Sequence, residues 1–175
     1  MAMISPLRAA GIGTRARFIQ VSRSGYCRPM GEWEIRPLAH GEAEVVGNVL
    51  GLARLHHGTG LYLVAWDGSE PVGHAHLALT DPPEMQDVEV RDTYRRRGIA
   101  SALTAAVEAE ARARGHTTLR VTVSADSPDA QALYRKLGFA DTGIPPRRVQ
   151  GTVQIRTGPL EVDDTLLTWE MPLLG

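Results

Sequence analysis

The stretch "VEVRDTYRRRGIASAL", Val88–Leu103, decides how the chain is read: three arginines run into a glycine and then into an apolar, alanine-rich segment. Val88-x-Val90 has the two-residue alternation of a strand. From Gly98 the spacing turns helical, with Ile99, Leu103 and Val107 on one face, Thr104, Glu108 and Arg112 on the other, and Gly115 as the stop. A strand that passes through a glycine turn directly into a helix aims several backbone N–H groups at one spot, and the helix N-terminus adds roughly half a positive charge there. That is an anion site, and a phosphate fits it. Gly98 lets the backbone approach the anion, Ala100 keeps the first helical turn slim, and Arg95, Arg96 and Arg97 bring charge.

Outward from this junction, order begins at "EWEIRPL", where Trp33, Ile35 and Pro37 alternate as in a first strand. "GEAEVVGNVLGLARLHH" has Val45, Val49, Leu52 and Leu55 at helical spacing, weakened by Gly47 and Gly51. "LYLVAWDGSEPVGHAHLAL" reads as a hairpin about Asp67-Gly68, and "EMQDVEV" as the strand that feeds the arginine run. "TTLRVTVSA" is a strand, "SPDAQALYRKLG" a helix with Pro128 in its first turn, and "LLTWEMPL" a final strand. The expectation is a mixed sheet with helices between its middle strands.

With 175 residues, 43% hydrophobic and 22% charged, the chain can bury one core and is short for two. The net charge of −1 hides an asymmetry, because Arg8, Arg15, Arg17, Arg23 and Arg28 fall in residues 1–31 with no acid, leaving −6 on residues 32–175. That balance argues against a broad nucleic-acid face. Cys27 is alone, so no disulfide framework or thiolate metal cluster is available, and a reducing cytoplasm is the simplest setting. Nothing approaches the length of apolar run that a membrane span needs. Residues 1–31 resemble a transit peptide in charge, yet Pro6, Gly11, Gly13, Gly25 and Pro29 break any amphipathic helix. They are expected to form a basic, flexible extension, with Met30 as an alternative start, ahead of one domain over residues 32–175. "GIGTRA", Gly11–Ala16, matches a dinucleotide pattern by chance, since no strand precedes it.

The pattern Arg95-x-x-Gly98-x-Ala100, preceded by Val88-x-Val90 and followed about thirty residues later by "AQALYRKLGF", resembles the GNAT superfamily of N-acetyltransferases from about Trp33 to Leu174. The resemblance implies an α/β (α+β) fold: a mixed, mostly antiparallel central sheet, splayed between its fourth and fifth strands and flanked by helices. It implies that the loop Arg95, Arg96, Arg97, Gly98, Ile99, Ala100 and Ser101 holds the pyrophosphate of acetyl-CoA on backbone amides. It also implies that the strand Val88, Glu89 and Val90 pairs with the pantetheine arm, and that Tyr134 faces the leaving sulfur. The chain departs from the pattern in three places: Ser127 stands where many members carry asparagine, Arg91 follows Val90, and Thr93 replaces a familiar proline. Residues 140–164, longer than a minimal hairpin, are expected to carry part of the acceptor pocket.

An amine attacking a thioester must be neutral, and with a pKa near ~10.4 only about one alkyl amine in 2,500 is deprotonated at pH 7, a penalty of roughly 4.6 kcal/mol. A base or a desolvating pocket is required. The developing oxyanion needs a donor, and the resemblance places the Val90 amide there. A thiolate of intrinsic pKa about 8.5 is a weaker base than tyrosinate at about 10, so full proton transfer from Tyr134 is uphill by roughly 2 kcal/mol. Strand alternation puts Val90, Val88, Gln86 and Glu84 on one side and Glu89, Asp87 and Met85 on the other. In several relatives the base, or the histidines that hold its water, lie four and six residues before the position of Val90. The resemblance thus carries the base onto Glu84, with Gln86 as a water partner. His74 and His76 share a strand face without a third ligand at metal spacing, and His56-His57 reads as a solvated helix end.

These readings leave two classes of function. The first is an acetyl-CoA-dependent N-acetyltransferase acting on a primary amine of a small molecule or protein, needing no metal, with a homodimer left open. The second is a non-catalytic acetyl-CoA-binding sensor module.

Overall fold

Two alternating apolar runs on either side of Gly68, where φ is 62°, fold back on each other and make the centre of the sheet. They are β2 (Gly60–Asp67) and β3 (Glu70–Ala78), and Pro71–Ala78 are buried without interruption because both faces of β3 are covered. The computed structural model describes residues 33–52, 55, 60–155 and 158–173. The N-terminal extension, Cys27, Gly11–Ala16 and His56-His57 lie outside them.

Among the described residues, β1 (Glu34–Pro37), β4 (Glu84–Val90), β5 (Thr118–Ser124), β6 (Ala140–Asp141), β7 (Arg147–Ile155) and β8 (Gly158–Pro172) complete one sheet. Its order is β1-β2-β3-β4-β5-β8-β6, with β7 paired to the first half of β8. Only β4 and β5 run parallel. Helix α2 (Ile99–Ala113) lays Ile99, Leu103 and Val107 on a core of Leu63, Leu77, Met85, Val90, Leu119, Val121 and Trp169. Helix α3 (Pro128–Lys136) packs its Ala130 and Tyr134 against the same core. The opposite face of β2 carries a second cluster, Tyr62, Val64 and Trp66 with Val46 of α1 (Ala43–Leu50). No described helix is long and apolar enough to cross a membrane.

The sheet is splayed where it is parallel. β4 and β5 are in register only at Glu84↔Arg120 and Met85↔Val121, after Arg120 N has bonded Pro83 O at 2.9 Å. Beyond Met85 each strand follows its other neighbour: β4 stays with β3 as far as Gly73↔Val90, and β5 stays with β8 as far as Ser124↔Leu166. A wedge-shaped gap opens between them.

Three expectations need correction, at α1, at Thr104 and in β4. The helix expected over residues 41–57 stops at Leu50, because Gly51 turns left-handed (φ 68°) and Leu52 N bonds Gly47 O. Its buried residues are Ala43 and Val46, whereas Val45 and Val49 are 50% and 42% exposed. Thr104 is fully buried rather than solvent-facing, its hydroxyl satisfied by Ala100 O at 3.0 Å. The segment 140–164 is mostly sheet, since β7 pairs with β8 from Arg147↔Leu166 to Ile155↔Gly158.

β4 itself departs from strict alternation. The partners His74↔Glu89 and His76↔Gln86 set three steps of β4 against two of β3, so β4 carries a bulge, with Asp87 at φ 50°. Strict alternation therefore fails across Asp87. Met85 and Val90 are buried in the α2 core and Val88 packs against it, while Glu84 and Gln86 point to the other face. Gly73 lets the bulged strand come close: a methyl there would sit 2.8 Å from Glu89 O and 3.3 Å from Val90 Cγ2. We expect Gly73→Ala to lower stability by about 1–3 kcal/mol through overpacking. Gly41→Ala, whose new carbon meets nothing within 4 Å, should stay within about 0.5 kcal/mol. Urea unfolding of both variants checks this, and equal midpoints would show that the bulge does not need Gly73.

Candidate active site

The gap exposes main chain. Arg91 N donates to Val72 O at 3.0 Å, so Arg91 faces β3. By strand alternation the N–H and C=O of Val90 and Val88 face the other way, into the gap left by β5. An extended ligand bearing amides can pair with such an edge as an added strand would.

At the open end of the gap the chain makes a short turn, Asp92–Tyr94, and reaches Gly98 at φ 83°, the residue that starts α2. The left-handed geometry favours glycine, and a carbon added there meets nothing within 4 Å, so the space beside this backbone is open. Ala102 N closes the first helical bond on Gly98 O, which leaves the N–H groups of Ile99, Ala100 and Ser101 without intrahelical partners. Among the described residues no side chain caps this helix start. Of the loop 95–101, the N–H groups of Ile99, Ala100 and Ser101 are thus left to meet an anion, whereas Arg95 N is bonded to Asp92 O at 3.2 Å.

Three arginines in sequence have three different surroundings. Arg95 Nε donates to Val90 O (3.2 Å) and its NH2 lies 2.9 Å from Asp92 Oδ1. Arg97 donates to Thr93 O (3.0 Å) and lies over the Tyr94 ring, 5.0 Å from its centroid. Arg96, exposed and at φ 64°, makes no hydrogen bond or ion pair among the described residues. Tyr94 ties the loop to the β2–β3 turn, its hydroxyl within 3.2 Å of Asp67 Oδ2 and 3.4 Å of Glu70 Oε2, while Arg91 pairs with Glu70. The sequence reading missed this anchor, because Asp67 and Glu70 lie in a turn far away along the chain.

Tyr134 sits on α3, half-buried against the core, with Phe139 edge-on at 5.6 Å and Phe139 N bonded to Tyr134 O at 3.0 Å. Burial pushes its hydroxyl above the usual tyrosine range. Ser127 starts the same helix, and its side chain makes no capping bond.

The sheet face opposite α2 is polar at the closed end of the gap. Glu84 Oε1 accepts from Thr122 Oγ1 at 2.7 Å, a bond that spans β4 and β5 beside their short stretch of register. Gln86 Oε1 is 3.3 Å from His76 Nδ1, and the His76 ring lies 4.8 Å from that of Tyr62. Further along β5, Ser124 Oγ donates to Asp164 Oδ1 at 2.9 Å, and Arg120 grips Glu170 with two bonds of 3.0 and 2.6 Å. Both histidines of β3 are buried, and among the described residues no group of three or more His, Cys, Asp or Glu side chains is placed to hold a metal. The parity expected from β4 is reversed: Glu84 and Gln86 share the face away from the Val88 and Val90 side chains. Glu89 and Asp87 are solvent-exposed.

The acetyltransferase (GNAT) family profile matches residues 27–139. Among curated proteins, mycothiol acetyltransferase of Acidothermus cellulolyticus is 34% identical over 122 residues, 60% of this chain and 36% of that protein. The protein of the same name from Mycobacteroides abscessus is 29% identical over 172 residues, 87% of this chain and 51% of that one. The chain thus spans about a third to a half of the length of these relatives. A ribosomal-protein alanine N-acetyltransferase of Escherichia coli superposes with a TM-score of 0.63 at 17% identity, covering 82% of this chain and 96% of that one. A GNAT acetyltransferase of Elizabethkingia anophelis with acetyl-CoA bound does so at 0.59 and 17%, covering 80% and 97%. These structures share the fold. The chain belongs to the acetyltransferase (GNAT) family.

Proposed function

We propose that the chain is an acetyl-CoA-dependent N-acetyltransferase that delivers an acetyl group to a primary amine. The observation that carries this reading is the divergence of β4 from β5 after Met85, which opens a strand edge directly beside an uncapped helix start. The relatives named mycothiol acetyltransferase favour a small-molecule acceptor over a protein.

The coenzyme supplies an acetyl group already activated as a thioester. The N–H groups at the start of α2 hold its diphosphate, with the Arg96 charge beside them, and the Val88 and Val90 main chain orients its extended arm. The Val90 N–H donates to the thioester oxygen as negative charge builds there. Glu84, at the closed end of the gap on the opposite face, takes the proton of the entering amine and removes the roughly 4.6 kcal/mol penalty for its neutral form. Tyr134 donates a hydrogen bond to the departing sulfur. Because burial raises its pKa, outright proton transfer is still less favourable than from an exposed tyrosine.

Thiol release from acetyl-CoA across a panel of amines tests the reading. One or more amines should accelerate release well above the water background, and a protein that binds acetyl-CoA yet responds to none would be a sensor. Glu84→Gln should lower turnover at pH 7 and recover part of it at high pH, where more amine is already neutral; an unchanged pH–rate profile would remove Glu84 as the base.

Tyr134→Phe should reduce turnover by about 10²-fold, the lower end for acid–base assistance, with acetyl-CoA affinity intact. The same variant tests the burial. A tyrosine whose folded pKa is raised contributes stability that is present below about pH 10, its unfolded value, and is lost as pH rises through the folded value. Removing the hydroxyl should flatten this alkaline loss in thermal unfolding. An alkaline limb as steep as the parent's would show that the hydroxyl is not buried.

A further inference from the structure

Val90 sits where β4 has lost β5, so its carbonyl faces the gap with no strand to accept from. One side chain takes that carbonyl: Arg95, itself 60% exposed, reaches back over the buried Val90 and donates to its carbonyl through Nε at 3.2 Å. The same guanidinium is held from the other side by Asp92 at 2.9 Å. Two bonds therefore hold Arg95 at the end of β4. Arg97 is likewise committed, to Thr93 O and the Tyr94 ring, and only Arg96 extends without a partner among the described residues.

A carbonyl facing the gap has two outcomes in the absence of a donor: it draws the neighbouring strand back into register, or it admits water. A charged N–H that satisfies it prevents both without adding chain to the gap. The N–H of Val90 lies on the same edge as its carbonyl, so fixing one group fixes the other. We propose that Arg95 is a positioning residue rather than a phosphate ligand: its Nε–H caps the Val90 carbonyl, props the β4 edge away from β5, and leaves Arg96 to meet the phosphates. The proposal rests on the coenzyme site described under the proposed function.

Glutamine carries its amide nitrogen at the same number of bonds from Cα as arginine carries Nε, so Arg95→Gln keeps the donor and removes the charge, while Arg95→Met removes both. In full-length protein without coenzyme, the Arg95 Nε–H resonance, assigned by its loss in Arg95→Gln, should exchange slowly with water while that of Arg96 exchanges fast. Acetyl-CoA should bind Arg95→Gln within about twofold of the parent and Arg95→Met about tenfold more weakly, both with the parent's salt dependence. Arg96→Gln should weaken binding and flatten its salt dependence. Equal losses in the two Arg95 variants with flattened salt dependence, or a fast-exchanging Arg95 Nε–H, would make Arg95 a phosphate ligand and overturn the proposal. A parent that binds no acetyl-CoA would instead remove the coenzyme reading, and the Nε–H exchange would still decide what Arg95 does.

Discussion

A main-chain polar group removed from water has to find a partner, and past Met85 the inner edge of β4 has lost the one that β5 provided. The rest of the site is arranged around that deficit. β3 continues to hold the outer edge of β4 through the pairs at Glu89 and Val90, and β8 holds β5, so neither strand is free to rejoin the other. The edge left between them is a template for an extended ligand with amide groups. Helix α2 begins at the mouth of the same gap, and its unpaired N–H groups add affinity for an anion at one end of that ligand.

The parts of this arrangement that depend on local pattern were legible in the sequence. The β2–β3 hairpin, β4, the buried stripe Ile99-Leu103-Val107 and the Gly98 turn follow from alternation, helical spacing and one left-handed glycine. The parts that depend on partners far along the chain were not. The bulge at Asp87 shows only in the pairing with β3, where Gly73 comes close to Glu89 and Val90, and nothing within "EMQDVEV" announces it. The α1 stripe shifted from Val45 and Val49 to Val46 because Gly51 ended the helix early and let Leu52 bury outside the helical period. β7 escaped notice because Gln150, Gly151, Thr152 and Gln154 dilute its apolar alternation, and its pairing comes from β8.

The candidate site shows the same division. Arg95, Arg96 and Arg97 are identical letters, yet Val90 O, open solvent and the Tyr94 ring give each a different environment. Glu84 was assigned from resemblance by way of strand parity, and the bulge reverses that parity. Its bond to Thr122 places it nonetheless at the closed end of the gap, on the sheet face away from α2. Under the proposed function, that separation would bring the acyl donor and the amine from opposite sides of one sheet. Tyr134 gains from its tertiary setting a reluctance to ionise that its sequence neighbours do not convey.

Residue-resolved amide exchange along β4, with and without acetyl-CoA, tests the central claim most directly. In the free protein the Arg91 N–H, bonded to Val72 O, should be protected while those of Val88 and Val90 exchange rapidly, and saturating acetyl-CoA should slow the latter two. Val88 and Val90 amides already as protected as Arg91 without ligand, or unmoved when acetyl-CoA saturates the protein, would contradict the account.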